Sequence, residues 1–344
     1  MLLKEDELIE ILSNVFNISY ELISKEPFEG NGLNSWSGGG VSLFNVNSRY
    51  VICKIRTSSM HENIGLQIDP DGKEEFLDLW LTSPHSIKMS LMKEINIYKE
   101  LEENLKKHIP NFYGSYSHSN CCVLFMGYIE NNLKHNPMSY ESEMSFLASL
   151  HNAYFEKESL CQTMGVFIPT IDYYKQSKSI YAKLIHCVEK NFPCYNEFLR
   201  DTKDFANSID DNYIEIINYG RTLCHGDYAH VNMIKTKECL KVYDWEHSSF
   251  YNPEFDLIQF LTRHSTDINH DYIVEVLKTY YHKISFRKSK SDFHNCLLLN
   301  SHLLFLTTMS WVMLMLKENF PTVEINNFLF LYNFLKRHKL AGLI

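Results

Sequence analysis

Residues 223–257 read LCHGDYAHVNMIKTKECLKVYDWEHSSFYNPEFDL and contain the most closely spaced polar motifs of the chain. It holds His-Gly-Asp at 225–227, an asparagine at 232, and Asp-Trp-Glu at 244–246 behind an apolar run. Each aspartate or asparagine alone fits a turn, where both residue types are common. Together, carboxylate and amide groups at these intervals indicate one shared binding site.

The interval between Asp227 and Asn232 is that of a kinase catalytic loop. In such a loop the aspartate orients the attacking hydroxyl and accepts its proton, while the asparagine binds a metal ion. Asp244, at the end of the next predicted hairpin, supplies a second metal ligand. Mg²⁺ prefers hard oxygen ligands, and phosphoryl transfer depends on positioning and on positive charge near the phosphates. We therefore predict Mg²⁺ as cofactor, with Asn232 and Asp244 as its ligands and Asp227 as the catalytic base.

The rest of the chain has two parts. After an amphipathic N-terminal helix, β-rich runs are predicted at 20–30, 41–47, 50–56, 111–119 and 121–130, with a hairpin turn at 47–49. One helix is predicted over 86–108, and it ends before Pro110. Its apolar face consists of Leu91, Ile95, Tyr98 and Leu101. The chain is mainly helical from about residue 140 onward. The pattern predicts an α+β fold: a small antiparallel sheet lobe with one major helix over 1–127, elaborated at 57–83, and a larger helical lobe over 128–344.

The quoted stretch resembles the aminoglycoside phosphotransferase and choline kinase-like family, whose hallmark is His-Gly-Asp, then Asn, then Asp-Trp-Glu. Three further motifs occur in the family's order. VICKIR (51–56) resembles the strand with the nucleotide-binding lysine, LMKEINIYKEL (91–101) the helix with its glutamate, and LASLHNAYF (147–155) a Leu-His-Ala helix. The similarity spans residues 15–265, and the order of the motifs argues against chance. It implies a bilobal protein-kinase-like fold.

The same resemblance implies a nucleotide site for ATP or GTP. Lys54 would contact the α- and β-phosphates and pair with Glu94. The linker from Met126 to Glu130, including Tyr128, would hold the adenine through backbone groups. The phosphate loop would contain Ser37, Gly38, Gly39 and Gly40, although SWSGGG departs from the spaced G-x-G-x-x-G pattern.

Forty residues separate Lys54 from Glu94, more than a compact kinase lobe needs. Glu74 or Glu75 is therefore a rival partner for Lys54. We prefer Glu94, because the periodic apolar residues around it give it a helix.

Other residues of the motifs have structural interpretations. His225 is expected to be a buried residue that shapes the loop, and His151 a core histidine. Asp256 follows a good helix start and is expected to be structural. Glu246 either orients Asp244 or touches the metal. The basic cluster Arg287, Lys288 and Lys290 is expected to be a solvated surface patch.

Composition limits the partners and the location. The net charge of −9 argues against nucleic acid, which requires a basic surface. Nine cysteines without a C-x-x-C pair, and no signal peptide, are typical of reduced thiols in a cytoplasmic protein. The apolar run 297–316 carries several polar residues, so we expect a buried core helix and no membrane span.

These observations favour a kinase that transfers the γ-phosphoryl group of ATP or GTP to a hydroxyl of an aminoglycoside-like antibiotic, an amino sugar or an amino alcohol. A housekeeping kinase for choline, homoserine or a sugar has the same motifs. A protein kinase is disfavoured, because only eight residues lie between Asp244 and Pro253 and Gly226 replaces the arginine of His-Arg-Asp. A non-catalytic scaffold or coat protein of the same shape is the remaining alternative, and it would be expected to lose the metal and lysine residues.

Overall fold

A computed structural model describes residues 3–27, 40–57, 90–118, 121–130, 140–191, 196–263, 266–286, 288–315 and 322–340. Several predictions concern residues outside these ranges. They are the phosphate-loop residues Ser37, Gly38 and Gly39, the rival glutamates Glu74 and Glu75, and the elaboration beyond residue 57.

The N-terminal part is built on a five-stranded antiparallel sheet with the order β1-β2-β3-β5-β4. Its strands are β1 (Ile23–Glu26), β2 (Val41–Val46), β3 (Arg49–Thr57), β4 (Phe112–His118) and β5 (Cys121–Gly127). The predicted hairpin between β2 and β3 is present. Its turn residues Asn47 and Ser48 have φ of 49° and 65°, the left-handed conformation that tight two-residue hairpins require.

Helices make up most of the described chain. They are α1 (Glu5–Phe16), α2 (Ser90–Glu100), α3 (Glu103–Lys106), α4 (Glu141–Tyr154), α5 (Glu158–Thr163), α6 (Ile171–Asn191), α7 (Asn196–Asn207), α8 (Ile209–Asn218), α9 (Glu254–Thr262), α10 (His270–Lys283), α11 (Lys290–Met315) and α12 (Thr322–Arg337). The predicted α+β fold is confirmed, with the antiparallel sheet before the mainly helical part.

Strand β3 has two different faces because side chains alternate along a strand. Val51, Cys53 and Ile55 are buried in a cluster with residues of α1. Lys54 and Arg56 occupy the alternate positions and so point away from α1, yet they are only 6% and 8% exposed. Two cations are therefore buried on the face of the sheet opposite α1.

The helix predicted over 86–108 is interrupted after Glu100. Glu102 has an extended backbone (φ −53°, ψ 141°), and its N–H donates to the hydroxyl of Tyr154 on α4 at 2.9 Å. A tertiary hydrogen bond thus replaces a helical one, and α3 begins at the next residue. The predicted apolar face is buried throughout, at Leu91, Ile95, Tyr98 and Leu101.

Four short strands surround the motif stretch. β6 (Thr222–Cys224) pairs with β9 (Ser249–Tyr251), and β7 (Met233–Lys235) pairs with β8 (Leu240–Val242), both antiparallel. The polypeptide between β6 and β7 carries Asp227 and Asn232, and the one between β8 and β9 carries Asp244. The β7–β8 hairpin lies between β6 and β9 in the chain. The three motif residues are in the two segments that connect this hairpin to the β6–β9 pair.

The apolar run 297–316 lies largely in α11, as predicted. Two of its polar side chains bond to the helix backbone: Asn300 donates to the Cys296 carbonyl at 2.8 Å, and Ser301 to the Leu297 carbonyl at 2.7 Å. Among the described helices, none has the length and hydropathy of a membrane span.

The prediction of a solvated basic patch is wrong for Lys288. Its side chain is only 3% exposed, and Nζ lies 2.7 Å from the fully buried carboxylate of Glu254 at the start of α9. A lysine of this kind is buried because it has a partner, which lies far away in the sequence.

Candidate active site

The loop after β6 is held in an unusual conformation by backbone contacts. Gly226 has φ +79°, and a Cβ at this position would collide with the carbonyl of His247. Only glycine fits both the left-handed backbone and the close approach. This contact explains why no arginine stands between His225 and Asp227.

One face of α9 binds this loop. Asp256 accepts the N–H groups of His225 at 2.7 Å and of Gly226 at 3.0 Å. One turn further, Gln259 accepts the Tyr228 N–H at 2.8 Å and donates to the Gly226 carbonyl at 2.5 Å. The spacing of three residues puts both side chains on one side of the helix. The helix therefore fixes the backbone on both sides of Asp227.

Asp227 and Asn232 are in direct contact. The amide Nδ2 of Asn232 donates to the Asp227 carboxylate oxygen Oδ2 and to its backbone carbonyl, both at 2.9 Å. The other carboxylate oxygen, Oδ1, lies against the guanidinium of Arg263, the residue that follows α9. One oxygen of Asp227 therefore accepts a hydrogen bond, and the other contacts a cation without a hydrogen bond.

Asn232 is also linked to the Asp244 loop. The N–H of Tyr243 donates to the Asn232 carbonyl at 3.1 Å. The next residue, Asp244, has φ 68° and ψ 59°, a left-handed conformation that aspartate tolerates better than most residues. Its side chain is 36% exposed. The partly exposed carboxylate thus belongs to the residue that directly follows the backbone contact with Asn232.

Lys54 joins three segments of the chain. Its Nζ lies 2.7 Å from Glu94 Oε2 on α2, 2.6 Å from Asp244 Oδ1 and 2.7 Å from Glu246 Oε1. The other oxygen of Glu94 accepts the Trp245 N–H at 3.3 Å. The expected contact between Lys54 and Glu94 is therefore present, and α2 is tied through it to the Asp244 loop.

Arg56 is a second cation in this cluster. Its Nη2 lies 2.5 Å from Glu246 Oε1, and both side chains are buried. Two cations of β3 thus contact three carboxylates directly. Glu246 accepts from both cations, a position that sequence reasoning left open.

These contacts alter the pKa values of the cluster. Burial lowers the pKa of Lys54, but Asp244, Glu246 and Glu94 together raise it above its ordinary value. Burial raises the pKa of Asp244, yet the charge of Lys54 brings it well below the ordinary value. Lys54 is therefore cationic and Asp244 anionic at neutral pH.

The residues fit a Mg²⁺ ion. Carboxylate oxygens of Glu94, Asp244 and Glu246 lie within 4.8 Å of one another, beside the cations Lys54 and Arg56. Asn232 uses its Nδ2 for Asp227, so the amide oxygen Oδ1 is the atom that would hold a metal ion. An amide oxygen and a partly exposed carboxylate are ligands of the type that Mg²⁺ takes.

The predicted adenine linker follows β5. The side chain of Met126 is buried, and its sulfur lies 3.7 Å from the hydroxyl of Tyr98. The N–H of Gly127 donates to the Asn111 carbonyl at 2.8 Å, and that of Tyr128 to the Tyr50 carbonyl at 3.2 Å. These two N–H groups of the predicted linker therefore have partners within the protein.

The two histidines have the structural positions that the sequence predicts. His151 is fully buried, with its ring nitrogens 2.7 Å from the Tyr280 hydroxyl and 3.3 Å from Asp256. His225 Nε2 donates to the Tyr243 carbonyl at 3.1 Å, and Nδ1 accepts the Asp227 N–H at 3.3 Å. Burial lowers the pKa of His225. A neutral imidazole bonded at both nitrogens joins the two motif loops.

Comparison with solved structures places the fold. No family model and no curated protein matches the chain. A choline kinase from Cryptosporidium parvum Iowa II has a TM-score of 0.55 at 10% identity, covering 98% of this chain and 97% of its own. The fold is that of small-molecule kinases. The choline kinase LicA from Streptococcus pneumoniae has a TM-score of 0.53 at 16% identity, covering 97% and 99%. A spectinomycin phosphotransferase has 0.51 at 11% identity, covering 98% and 95%.

Sequence reasoning missed three residues of this site: Arg56, Gln259 and Arg263. Arg56 carries a signal that could have been used, because it alternates with Lys54 in an apolar strand. Gln259 and Arg263 follow Asp256 at intervals of three and seven residues, which lie on one helical face.

Proposed function

We propose that the protein is a small-molecule kinase that transfers the γ-phosphoryl group of ATP or GTP to a hydroxyl of an aminoglycoside-like antibiotic, an amino sugar or an amino alcohol. The observation that carries the proposal is the meeting of Lys54, Glu94 and Asp244. Lys54 bonds to residues 40 and 190 positions away, at 2.7 Å and 2.6 Å. A buried lysine beside a partly exposed carboxylate is suited to nucleotide phosphates and their metal ion.

In this proposal each polar residue has one role. Lys54 binds the α- and β-phosphates, and Glu94 fixes its direction. Asn232 and Asp244 hold Mg²⁺, which when bound neutralises charge on the phosphate oxygens. Asp227 orients the acceptor hydroxyl and accepts its proton late in the transfer, because a hydroxyl is a weak acid.

Other parts of the proposal complete the nucleotide site. The loop with Ser37, Gly38, Gly39 and Gly40 covers the phosphates, and the linker with Met126 and Tyr128 holds the base. We place the lobe boundary after residue 127, where β5 ends. Free thiols at the described cysteines support a reducing, cytoplasmic location.

The competing functions differ in features of the site. A protein kinase displays its peptide on a long activation segment, but here Trp245–His247 forms a short helical turn and Ser249–Tyr251 is already β9. A scaffold has no need for a lysine bonded to three carboxylates. A housekeeping metabolite kinase shares all of these residues and differs only in its acceptor.

Calorimetry with Mg-ATP tests the nucleotide site. Asp244→Ala is expected to lose tight binding of Mg-ATP and to remain folded, because its side chain is partly exposed. Asp271→Ala is the matched control, since that carboxylate is 99% exposed on α10. Equal Mg-dependent affinity in Asp244→Ala and the wild type contradicts the proposal.

A panel of acceptors tests the substrate. Aminoglycosides, amino sugars, choline and homoserine are each incubated with Mg-ATP, and phosphorylated product is measured by mass. Product from one class assigns the acceptor. Mg-ATP binding without any product from a broad panel favours the scaffold.

A further inference from the structure

Arg263 is the cation in contact with the proposed catalytic base. Its guanidinium meets Oδ1 of Asp227, while Oδ2 accepts from Asn232 at 2.9 Å. The Asp227 side chain is 13% exposed and that of Arg263 is 30% exposed. A hydroxyl can transfer its proton to Asp227 only if it reaches one of these oxygens.

Of the two side-chain contacts to the Asp227 carboxylate, we infer that the one from Arg263 is displaced by an acceptor. The Asn232 amide bonds to Asp227 twice, through the carboxylate and the backbone carbonyl, and its position also sets the metal-binding oxygen. Arg263 reaches Asp227 from the end of α9, where its N–H bonds to the Gln259 carbonyl at 2.9 Å. The contact between Arg263 and Asp227 therefore depends on the Arg263 side chain, whereas the backbone of the helix and loop is held independently of it.

We propose that Arg263 makes the enzyme selective for its acceptor over water. The guanidinium stays paired with Asp227 when only water is present, and a bound acceptor hydroxyl displaces it from that carboxylate. This inference rests on the proposed kinase function. A kinase must avoid hydrolysis, in which the oxygen of water bonds to the γ-phosphorus and the bond from that phosphorus to the bridging oxygen of ADP breaks. The proton of water passes to Asp227 and then to solvent, and the products are ADP and phosphate.

The physical reason is a difference in binding energy. A carboxylate paired with a guanidinium is a weaker base, and the cation beside it blocks the approach of a hydroxyl to that oxygen. A water molecule has few contacts with which to displace the guanidinium. An acceptor is held by its other groups as well, and that binding energy can separate Arg263 from Asp227.

The test measures hydrolysis of Mg-ATP without acceptor. Arg263→Ala is expected to raise the rate about tenfold, within the roughly hundredfold that a positioned base contributes. Arg263→Gln keeps much of the length without the charge and should rise likewise, which guards against a folding defect in the alanine variant. Arg200→Ala is the control, because its side chain is 67% exposed beside Asp201 and distant in sequence from the loop.

The double variant Asp227→Asn with Arg263→Ala shows whether the two residues act together. The increase in the rate of Mg-ATP hydrolysis should be absent from this double variant, because it has no carboxylate at position 227 to act as a base. An unchanged or slower rate in Arg263→Ala and Arg263→Gln with normal Mg-ATP affinity overturns the inference, as does an equal rise in the Asp227→Asn background. Failure of the proposed function is distinct, since Mg-ATP binding would then be insensitive to Asp244→Ala.

Discussion

Asp256 should contribute a large part of the stability of the catalytic loop. Its carboxylate is fully buried, and its two oxygens accept the N–H groups of His225 at 2.7 Å and Gly226 at 3.0 Å. A hydrogen bond to a charged group contributes about 1.5–3 kcal/mol. Asp256→Ala removes both acceptors and should lower the free energy of unfolding by about 4 kcal/mol.

Asp256→Asn separates the hydrogen bonds from the effect of side-chain size. The amide keeps one acceptor oxygen, and its NH₂ group then faces the second backbone N–H. We expect a loss of about 2 kcal/mol, because one of the two charged hydrogen bonds is replaced by a contact between donors. The order of stability should therefore be wild type, then asparagine, then alanine.

Equilibrium unfolding in urea, followed by circular dichroism, measures both losses. Asp271→Asn serves as the control, because an exposed carboxylate should change the stability by less than about 0.5 kcal/mol. If Asp256→Ala lowers the free energy of unfolding by less than about 1 kcal/mol, the two hydrogen bonds do not stabilise the loop as proposed, because removing a buried acceptor of two charged bonds costs more than that. A larger loss for asparagine than for alanine would refute the assigned hydrogen-bond directions.

Two further changes test the nucleotide site and the helical core. Lys54→Ala should weaken Mg-ATP binding about ten- to a hundredfold, measured by calorimetry, because a charged hydrogen bond to the nucleotide is lost. Glu94→Gln should weaken binding less, because Asp244 still contacts the lysine. Equal affinities in the wild type and both variants would contradict this prediction. Burial lowers the pKa of His302 from 6.5 to about 4, so the unfolded chain takes up its proton first and stability is lost as the pH falls from 6.5 towards 4. His302→Gln should remove about 2 kcal/mol of the loss seen between pH 7 and pH 5 in urea unfolding, and an identical loss in both proteins would refute it.

The fold and the centre of the site could be predicted because their signals are local. Asp227 and Asn232 are separated by one loop, and a single hairpin leads from Asn232 to Asp244, so their spacing in the sequence determines their spacing in space. Lys54 stands out as a lysine in an apolar strand. Glu94 required a choice among glutamates, and the helical periodicity around it favoured the residue that contacts Lys54.

Long-range partners could not be predicted. Lys288 looks like part of a basic surface patch, because nothing near it in the sequence reveals that Glu254 lies 2.7 Å away. The end of α2 at Glu100 depends on the hydroxyl of Tyr154, which a periodicity pattern does not contain. Arg263 contacts Asp227 because α9 packs against the loop, and the sequence separation of the two residues does not reveal this packing.

The proposed catalytic role of Asp227 is tested by the kcat of Asp227→Asn. The assay uses Mg-ATP and the acceptor identified by the panel, with the nucleotide affinity measured in parallel. We predict a fall in kcat of about a hundredfold or more, as for loss of a positioned general base, with the affinity for Mg-ATP unchanged. Turnover of the acceptor at the wild-type rate would contradict the account and make the non-catalytic scaffold the better explanation.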